Sequence, residues 1–295
     1  MSAQVTSLLL LAALVVLVAG IDLKTARPRL QTVRPVRGNI KLPYDSRIVG
    51  GAPASRGQLP YQVAIYMTMA AGTFFCGGSL ISRSYVLTAA HCTRDATAFE
   101  VILGAVNPQN TSDPDRVSVK VDGSAAIEHP DYNINNKLND IALLRLPQAV
   151  KLTDAIQTIR LPSRTQAQNN HTFENATVTI SGWGKVTDDN PYISSVLNHA
   201  EAPVIGNPLC TLYFLTALYG ISHTQVCTGG SRGTNTCSGD SGGPVVVLEE
   251  DGVPTEIGLV SIGFNKCERG WPSAHTRLTS FLDFIENNSD VKIRS

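Results

Sequence analysis

The stretch Cys237-Ser238-Gly239-Asp240-Ser241-Gly242-Gly243-Pro244 decides how this 295-residue chain is read. Its glycines permit a tight turn in which the backbone amides of Gly239 and Ser241 point into one small hollow. Such a hollow holds the negative oxygen that develops when a serine hydroxyl attacks a carbonyl. Asp240, beside that serine, is a carboxylate that needs a partner wherever it is buried. Read alone, the stretch fits a Gly-rich turn between strands equally well, so the rest of the chain must decide.

Two further stretches carry groups able to activate a serine. Leu87-Thr88-Ala89-Ala90-His91-Cys92 puts a histidine at a strand end, and Asn139-Asp140-Ile141-Ala142-Leu143-Leu144 puts a carboxylate at the mouth of an apolar strand. A lone histidine is usually structural, and a lone aspartate before a strand is usually a turn former. His129, His171, His199 and His223 take that structural reading.

Around these stretches the pattern is β. Short strand-like runs at Tyr61–Tyr66, Gly78–Ile81, Tyr85–Thr88, Val117–Val121 and Ile141–Leu146 are separated by turn residues. A second series runs through Thr177–Ile180, Ala202–Ile205, Pro244–Leu248 and Ile257–Ile262. Two strand-rich halves joined near Leu161–Gln168 fit two β-barrels. A closing helix is expected from Leu278, Phe281, Leu282 and Ile285 on one face, with Ser280 and Asp283 as a capping signal.

Charged residues make up only 16% of the chain, and Gly and Pro are plentiful, as in turn-rich β proteins. The net charge of zero is unevenly spread. Seven basic residues and two acidic ones precede Ile48, leaving 17 basic and 22 acidic residues and about −5 for the remainder. A mildly acidic body argues against a nucleic-acid partner. The six cysteines form no Cys-x-x-Cys pair, so a zinc or thioredoxin-like site is disfavoured. In an oxidising compartment they read as three disulfides, although six cysteines allow 15 pairings and the sequence does not choose.

The chain start bears on the compartment. Leu8 to Gly20 is an apolar run of about 13 residues ending in Val18-Ala19-Gly20, too short to span a bilayer and suited to a signal peptide cut near Gly20. A secreted, extracellular protein without a membrane partner is expected. Residues 21–47 are basic and contain Pro28, Pro35 and Pro43, the composition of an exposed pro-segment. It ends in Ser46-Arg47-Ile48-Val49-Gly50-Gly51, where cleavage after Arg47 would expose a new amino group on Ile48.

Together, Arg47-Ile48-Val49-Gly50-Gly51, Thr88-Ala89-Ala90-His91-Cys92, Asn139 to Leu144 and Gly239 to Pro244 resemble the trypsin/chymotrypsin-like serine proteases in order and spacing. The resemblance covers Ile48 to Ser295. It implies an all-β fold of two six-stranded antiparallel Greek-key β-barrels with a C-terminal α-helix. The barrels would fall at about 48–160 and 161–280, the helix at about 280–288, and the active site in the cleft between barrels.

The resemblance further implies a catalytic triad of His91, Asp140 and Ser241 and an oxyanion hole from the amides of Gly239 and Ser241. It implies disulfides Cys76–Cys92, Cys210–Cys227 and Cys237–Cys267, the first worth roughly 3 kcal/mol by loop entropy. After cleavage at Arg47, the Ile48 ammonium would pair with Asp240 and order the site. No cofactor or metal is expected. The expected partners are protein or peptide substrates, an activating trypsin-like protease and protein inhibitors, and the expected state is a monomer.

The substrate pocket implied by the resemblance is built from Asn235, Ser261, Gly263 and Ser273. Asn235 stands at the floor where trypsin-like enzymes carry Asp, so little compensates a desolvated Arg or Lys. Gly263 leaves the entrance open, and a preference for large apolar or aromatic residues is expected. Ser273, Ile262 and His275 depart from the pattern, which keeps an elastase-like or broad profile open. Cys267 to Pro272 with Thr276-Arg277-Leu278 looks most like arthropod digestive enzymes of the brachyurin group. Sequons at Asn110, Asn170, Asn175 and Asn287 would suit a glycoprotein. Rival readings are a non-catalytic homologue acting as a binding module, which loss of a triad residue would mark, and a cascade protease, which a trypsin-like pocket or Cys-rich front domain would mark.

Overall fold

The computed structural model describes residues 50–215, 219–230, 234–264 and 266–295. The signal-peptide, pro-segment, Arg47 and Ile48 expectations therefore lie outside the described residues.

Among the described residues, fourteen strands form two antiparallel sheets. They are β1 (Ala52–Pro53), β2 (Gln62–Met69), β3 (Gly72–Leu80), β4 (Tyr85–Thr88), β5 (Ala98–Leu103), β6 (Val117–Asp122), β7 (Ala126–Glu128) and β8 (Ala142–Arg145), then β9 (Thr177–Gly182), β10 (Asn198–Ile205), β11 (Gln225–Thr228), β12 (Pro244–Leu248), β13 (Pro254–Ile262) and β14 (Ser273–Arg277). The first sheet runs β6-β5-β2-β3-β4-β8-β7 and the second β1-β10-β11-β14-β13-β12-β9, closed by a β9–β10 pairing.

Each sheet thus has seven strands rather than the expected six, for two local reasons. In the first, one long strand is broken into β6 and β7 by a 3-10 turn at Gly123–Ala125, where the Asp122 side chain accepts from the Ser124 amide. In the second, the two-residue β1 is added at the edge, Ala52 opposite His199.

Period-two alternation gives β2 two different apolar faces. Val63, Ile65 and Met67 fill the first barrel with Val101, Leu103 and Val121. Ala64, on the other face, shares a cluster with Phe75, Ile102 and Trp183, which bridges to the second half of the chain. The second barrel is filled by Val178, Ile180, Val204, Val226, Val245 and Ile257.

The two ends of the described residues are exchanged between halves. β1 belongs to the second sheet, whereas Leu278, Phe281 and Ile285 at the C-terminus pack on Ile81, Leu87, Ile141 and Leu143 of the first. The closing helix spans Leu282–Asn288, and its N-terminus lacks the expected side-chain cap. Ser280 ends a separate 3-10 turn, and Asp283 instead meets Arg164. The structure joins Cys76–Cys92, Cys210–Cys227 and Cys237–Cys267.

Candidate active site

β4 ends at Thr88, and a single helical turn, Ala90–Thr93, then lifts His91 out of the sheet. The Cys76–Cys92 bridge fixes that turn to β3. Asp140 lies two residues before β8 and is fully buried. Its Oδ2 lies 2.7 Å from His91 Nδ1, and its Oδ1 accepts the His91 backbone N–H at 2.9 Å. Two contacts at once fix both the ring and the turn that carries it.

The second barrel reaches across to the same carboxylate. The Ser261 hydroxyl donates to Asp140 Oδ2 at 2.6 Å, and the Thr276 hydroxyl donates to the Asp140 carbonyl at 2.7 Å. Burial alone would push the Asp140 carboxyl up, but His91 and the hydrogen bonds from His91 and Ser261 outweigh it and hold the group below its ordinary value. Asp140 therefore stays ionised at neutral pH. With Nδ1 committed to it, His91 turns Nε2 the other way, where that atom has no hydrogen-bond partner among the described residues.

Ser241 is brought to this side by the turn after β11. Gly77 donates its N–H to the Ser241 carbonyl at 2.7 Å, so β3 of the first barrel holds the nucleophile loop directly. A Cβ on Gly242 would fall 2.2 Å from Thr88 Oγ1 and 3.1 Å from the Ala89 nitrogen, which shows how tightly this loop lies against the segment leading to His91. Gly239 has φ +101°, a conformation that disfavours any side chain, and an added Cβ would meet Ile193 at 2.8 Å. The turn thus depends on glycine both for its dihedral and for space. The Ser241 and His91 side chains are not hydrogen-bonded to each other, a spacing common in unliganded sites of this kind.

Asp240 points away from the cleft and is fully buried. Its carboxylate accepts from the Gly184 N–H at 2.7 Å and the Cys237 N–H at 2.8 Å. Burial pushes it up to about 7, and the two amides only partly offset that cost. Among the described residues no cation pairs with it.

A pocket opens beside Ser241. Thr236, Ser238, Val260, Ser261, Ile262, Gly263 and Phe264 line it together with the Cys237–Cys267 bridge. Ser261 and Gly263 line the pocket, whereas Asn235 and Ser273 form a layer beneath it. Asn235 Oδ1 accepts from the Thr236 N–H at 2.9 Å and the Ser273 hydroxyl at 2.7 Å, and its Nδ2 donates to the Trp271 carbonyl at 2.7 Å. His275 lies deeper, fully buried, with Nε2 2.8 Å from Thr228 Oγ1. Burial drives it down to about 3, so it is neutral. Ser261 is therefore more than a pocket residue. Its bond to Asp140 spans 121 residues of sequence, and no local pattern could have signalled it.

Among the described residues, two side-chain groups are close enough to hold an ion, Cys76/His91/Cys92 and Asp188/Cys237/Cys267. In both, the sulfurs are tied in disulfides and offer no thiolate.

Comparison with known proteins agrees with this geometry. A family model described as trypsin matches residues 48–285. Brachyurin of Leptuca pugilator is 37% identical over 246 residues, covering 83% of this chain and 99% of that protein. Chymotrypsin of Phaedon cochleariae is 36% identical over 243 residues, covering 82% of each. The solved structure of HL collagenase superposes with a TM-score of 0.72 at 35% identity, over 83% of this chain and 100% of the other. The matched span holds all fourteen strands and every residue of the cleft just described, so the chain belongs to the trypsin family and is a serine endopeptidase.

Proposed function

We propose that the protein is an extracellular endopeptidase with a chymotrypsin-like preference, made as a zymogen and activated by cleavage after Arg47. The observation that carries the preference is the state of Asn235. Its carbonyl oxygen already accepts two internal hydrogen bonds and its amide already serves Trp271, so the layer beneath the pocket offers a substrate cation neither charge nor a free acceptor. The pocket walls contributed by Val260, Ile262 and Phe264 suit an apolar side chain instead. Gly263 keeps its side open, since a Cβ there would meet only Ser273 Oγ at 3.5 Å.

In this reading His91 Nε2 takes the proton of Ser241 as its hydroxyl attacks the scissile carbonyl, and later hands it to the leaving amine. The Gly239 and Ser241 amides stabilise the oxyanion, each donor worth roughly 10²–10³ in rate. Water then releases the acyl group. Asp140 stays ionised and holds the imidazolium that forms.

Asp240 supports the zymogen part. A buried carboxyl raised to about 7 with two amide donors is a site that lacks only a cation, and the Ile48 ammonium freed at Arg47 would supply it. Pairing raises the ammonium above its reference value of about 7.7–8, so activity is lost only as pH rises beyond that range, through the raised value. The similarity to brachyurin supports a digestive role. A narrower, elastase-like preference is favoured by one feature, the Ser273 hydroxyl under Gly263, and the similarity to a protein named collagenase in Hypoderma lineatum favours the broad-specificity alternative.

The test is to cleave the purified proenzyme with trypsin at Arg47, remove the trypsin, and profile cleavage of a peptide library varied at the residue before the cut. Cleavage after Phe, Tyr and Leu is expected. Cleavage after Ala and Val would select the narrower reading, and cleavage after Arg or Lys would overturn the argument from Asn235.

A further inference from the structure

The segment Gly184–Ile193 crosses from the nucleophile loop to the opposite wall of the pocket. At its start, Lys185 N–H donates to the Ser238 carbonyl at 2.8 Å, and Gly184 N–H donates to Asp240. Four residues on, Asp188 Oδ1 accepts the Cys267 N–H at 2.7 Å, while the Asp188 N–H donates to Glu268 Oε2 at 2.7 Å. At its end, Ile193 packs where a side chain on Gly239 would go. One strap thus touches both the loop that carries Gly239 and the wall that carries Cys267.

That wall is packed from behind through Phe264, which meets Phe214 and Trp271. After Ile262 the chain leaves β13, and Cys267–Arg269 forms a 3-10 turn. The Cys237–Cys267 bridge holds one point of it covalently. Asp188 holds the backbone of the same residue non-covalently, and Glu268 returns the contact. The two bonds are reciprocal, side chain to amide in each direction, so neither partner can swing away without breaking both.

We propose that Asp188 is a positioning residue for the substrate pocket, fixing the pocket wall at Cys267 and Glu268 against the nucleophile loop. The proposal rests on the reading that this pocket takes the side chain preceding the scissile bond. Loss of the carboxylate frees the wall, so the pocket must be re-formed by each substrate that binds. Binding is penalised while the chemical step at Ser241 is not.

The experiment compares activated wild type, Asp188→Ala, Asp188→Asn and Glu268→Ala on peptide amides that differ only at the residue before the cut. Asp188→Ala is expected to raise KM about two- to tenfold, the range for one net hydrogen bond, with kcat nearly unchanged. Asp188→Asn keeps an oxygen for the Cys267 amide and should restore KM, and Glu268→Ala should fall between. A small sulfonyl fluoride that reacts at Ser241 without filling the pocket should inactivate all four at one rate. An unchanged KM in Asp188→Ala, or a fall in kcat matched by slower inactivation, would overturn the assignment. Should Asp188→Ala not fold, a KM for Glu268→Ala equal to that of wild type overturns it. A wild-type KM insensitive to the varied residue would instead overturn the pocket reading itself.

Discussion

Asp140 answers to both barrels at once. His91 from the first and Ser261 from the second leave its buried carboxylate ionised, while Thr276 of the second holds its backbone carbonyl. Ser261 is the contributor that can be removed without touching the groups that react. Ser261→Ala should lower kcat about two- to tenfold, the usual net value of one hydrogen bond. It should also move the acid limb of the kcat/KM profile to higher pH, because Asp140 loses one of the hydrogen bonds that hold its carboxyl low. A pH–rate profile superposable on that of wild type would show that Ser261 serves the pocket alone. His91, Asp140 and Ser241 were legible because each sits in a short motif of its own. Ser261 and Ser273 have no such motif: their hydroxyls act on Asp140 and Asn235 through contacts that only the fold creates.

Among the elements, strands rich in β-branched residues announced themselves, as β12 does with Val245-Val246-Val247. β14 did not. Ser273-Ala274-His275-Thr276-Arg277 reads as polar, yet all five residues are buried in the middle of the second sheet. Most of its polar groups find partners: His275 Nε2 meets Thr228 while its Nδ1 has none among the described residues, Thr276 donates to the Asp140 carbonyl, and Arg277 donates to the carbonyls of His223, Gln225 and Thr172. The helix Arg164–Gln168 was missed although Ser163 and Gln166 form a complete capping box, because five residues give too short a period to recognise. The Cys237–Cys267 bridge belongs to this scale as well, since it ties a loop to a 3-10 turn rather than strand to strand. Replacing both cysteines by serine should cost roughly 2–4 kcal/mol on melting. Activity should nevertheless fall well before the far-ultraviolet circular dichroism of the sheets does. Parallel loss of the two signals would show that the bridge holds the fold rather than the pocket.

For the whole molecule the seam between barrels is the vulnerable surface. Glu256 of β13 lies in it, fully buried, accepting from the Ser79 hydroxyl of β3 at 2.6 Å, and burial pushes its carboxyl up to about 8. Between the ordinary glutamate value near 4.3 and that raised value the folded state holds a proton that the unfolded state has released. Stability therefore falls as pH rises through this window, and the stabilising contribution is complete only below it. Glu256→Gln should flatten the melting temperature measured calorimetrically between about pH 5 and 8, relative to wild type. Identical slopes would place the sensitivity elsewhere, with Asp240 the next group to test. The same seam gives a wider meaning to the crossing of the termini, β1 into the second sheet and Leu278, Phe281 and Ile285 onto the first. Each half completes its partner's surface as one hand clasps another. A proteolytic nick between Leu161 and Gln168 would thus leave two fragments that remain locked together, so the scissors are protected against their own most obvious point of separation.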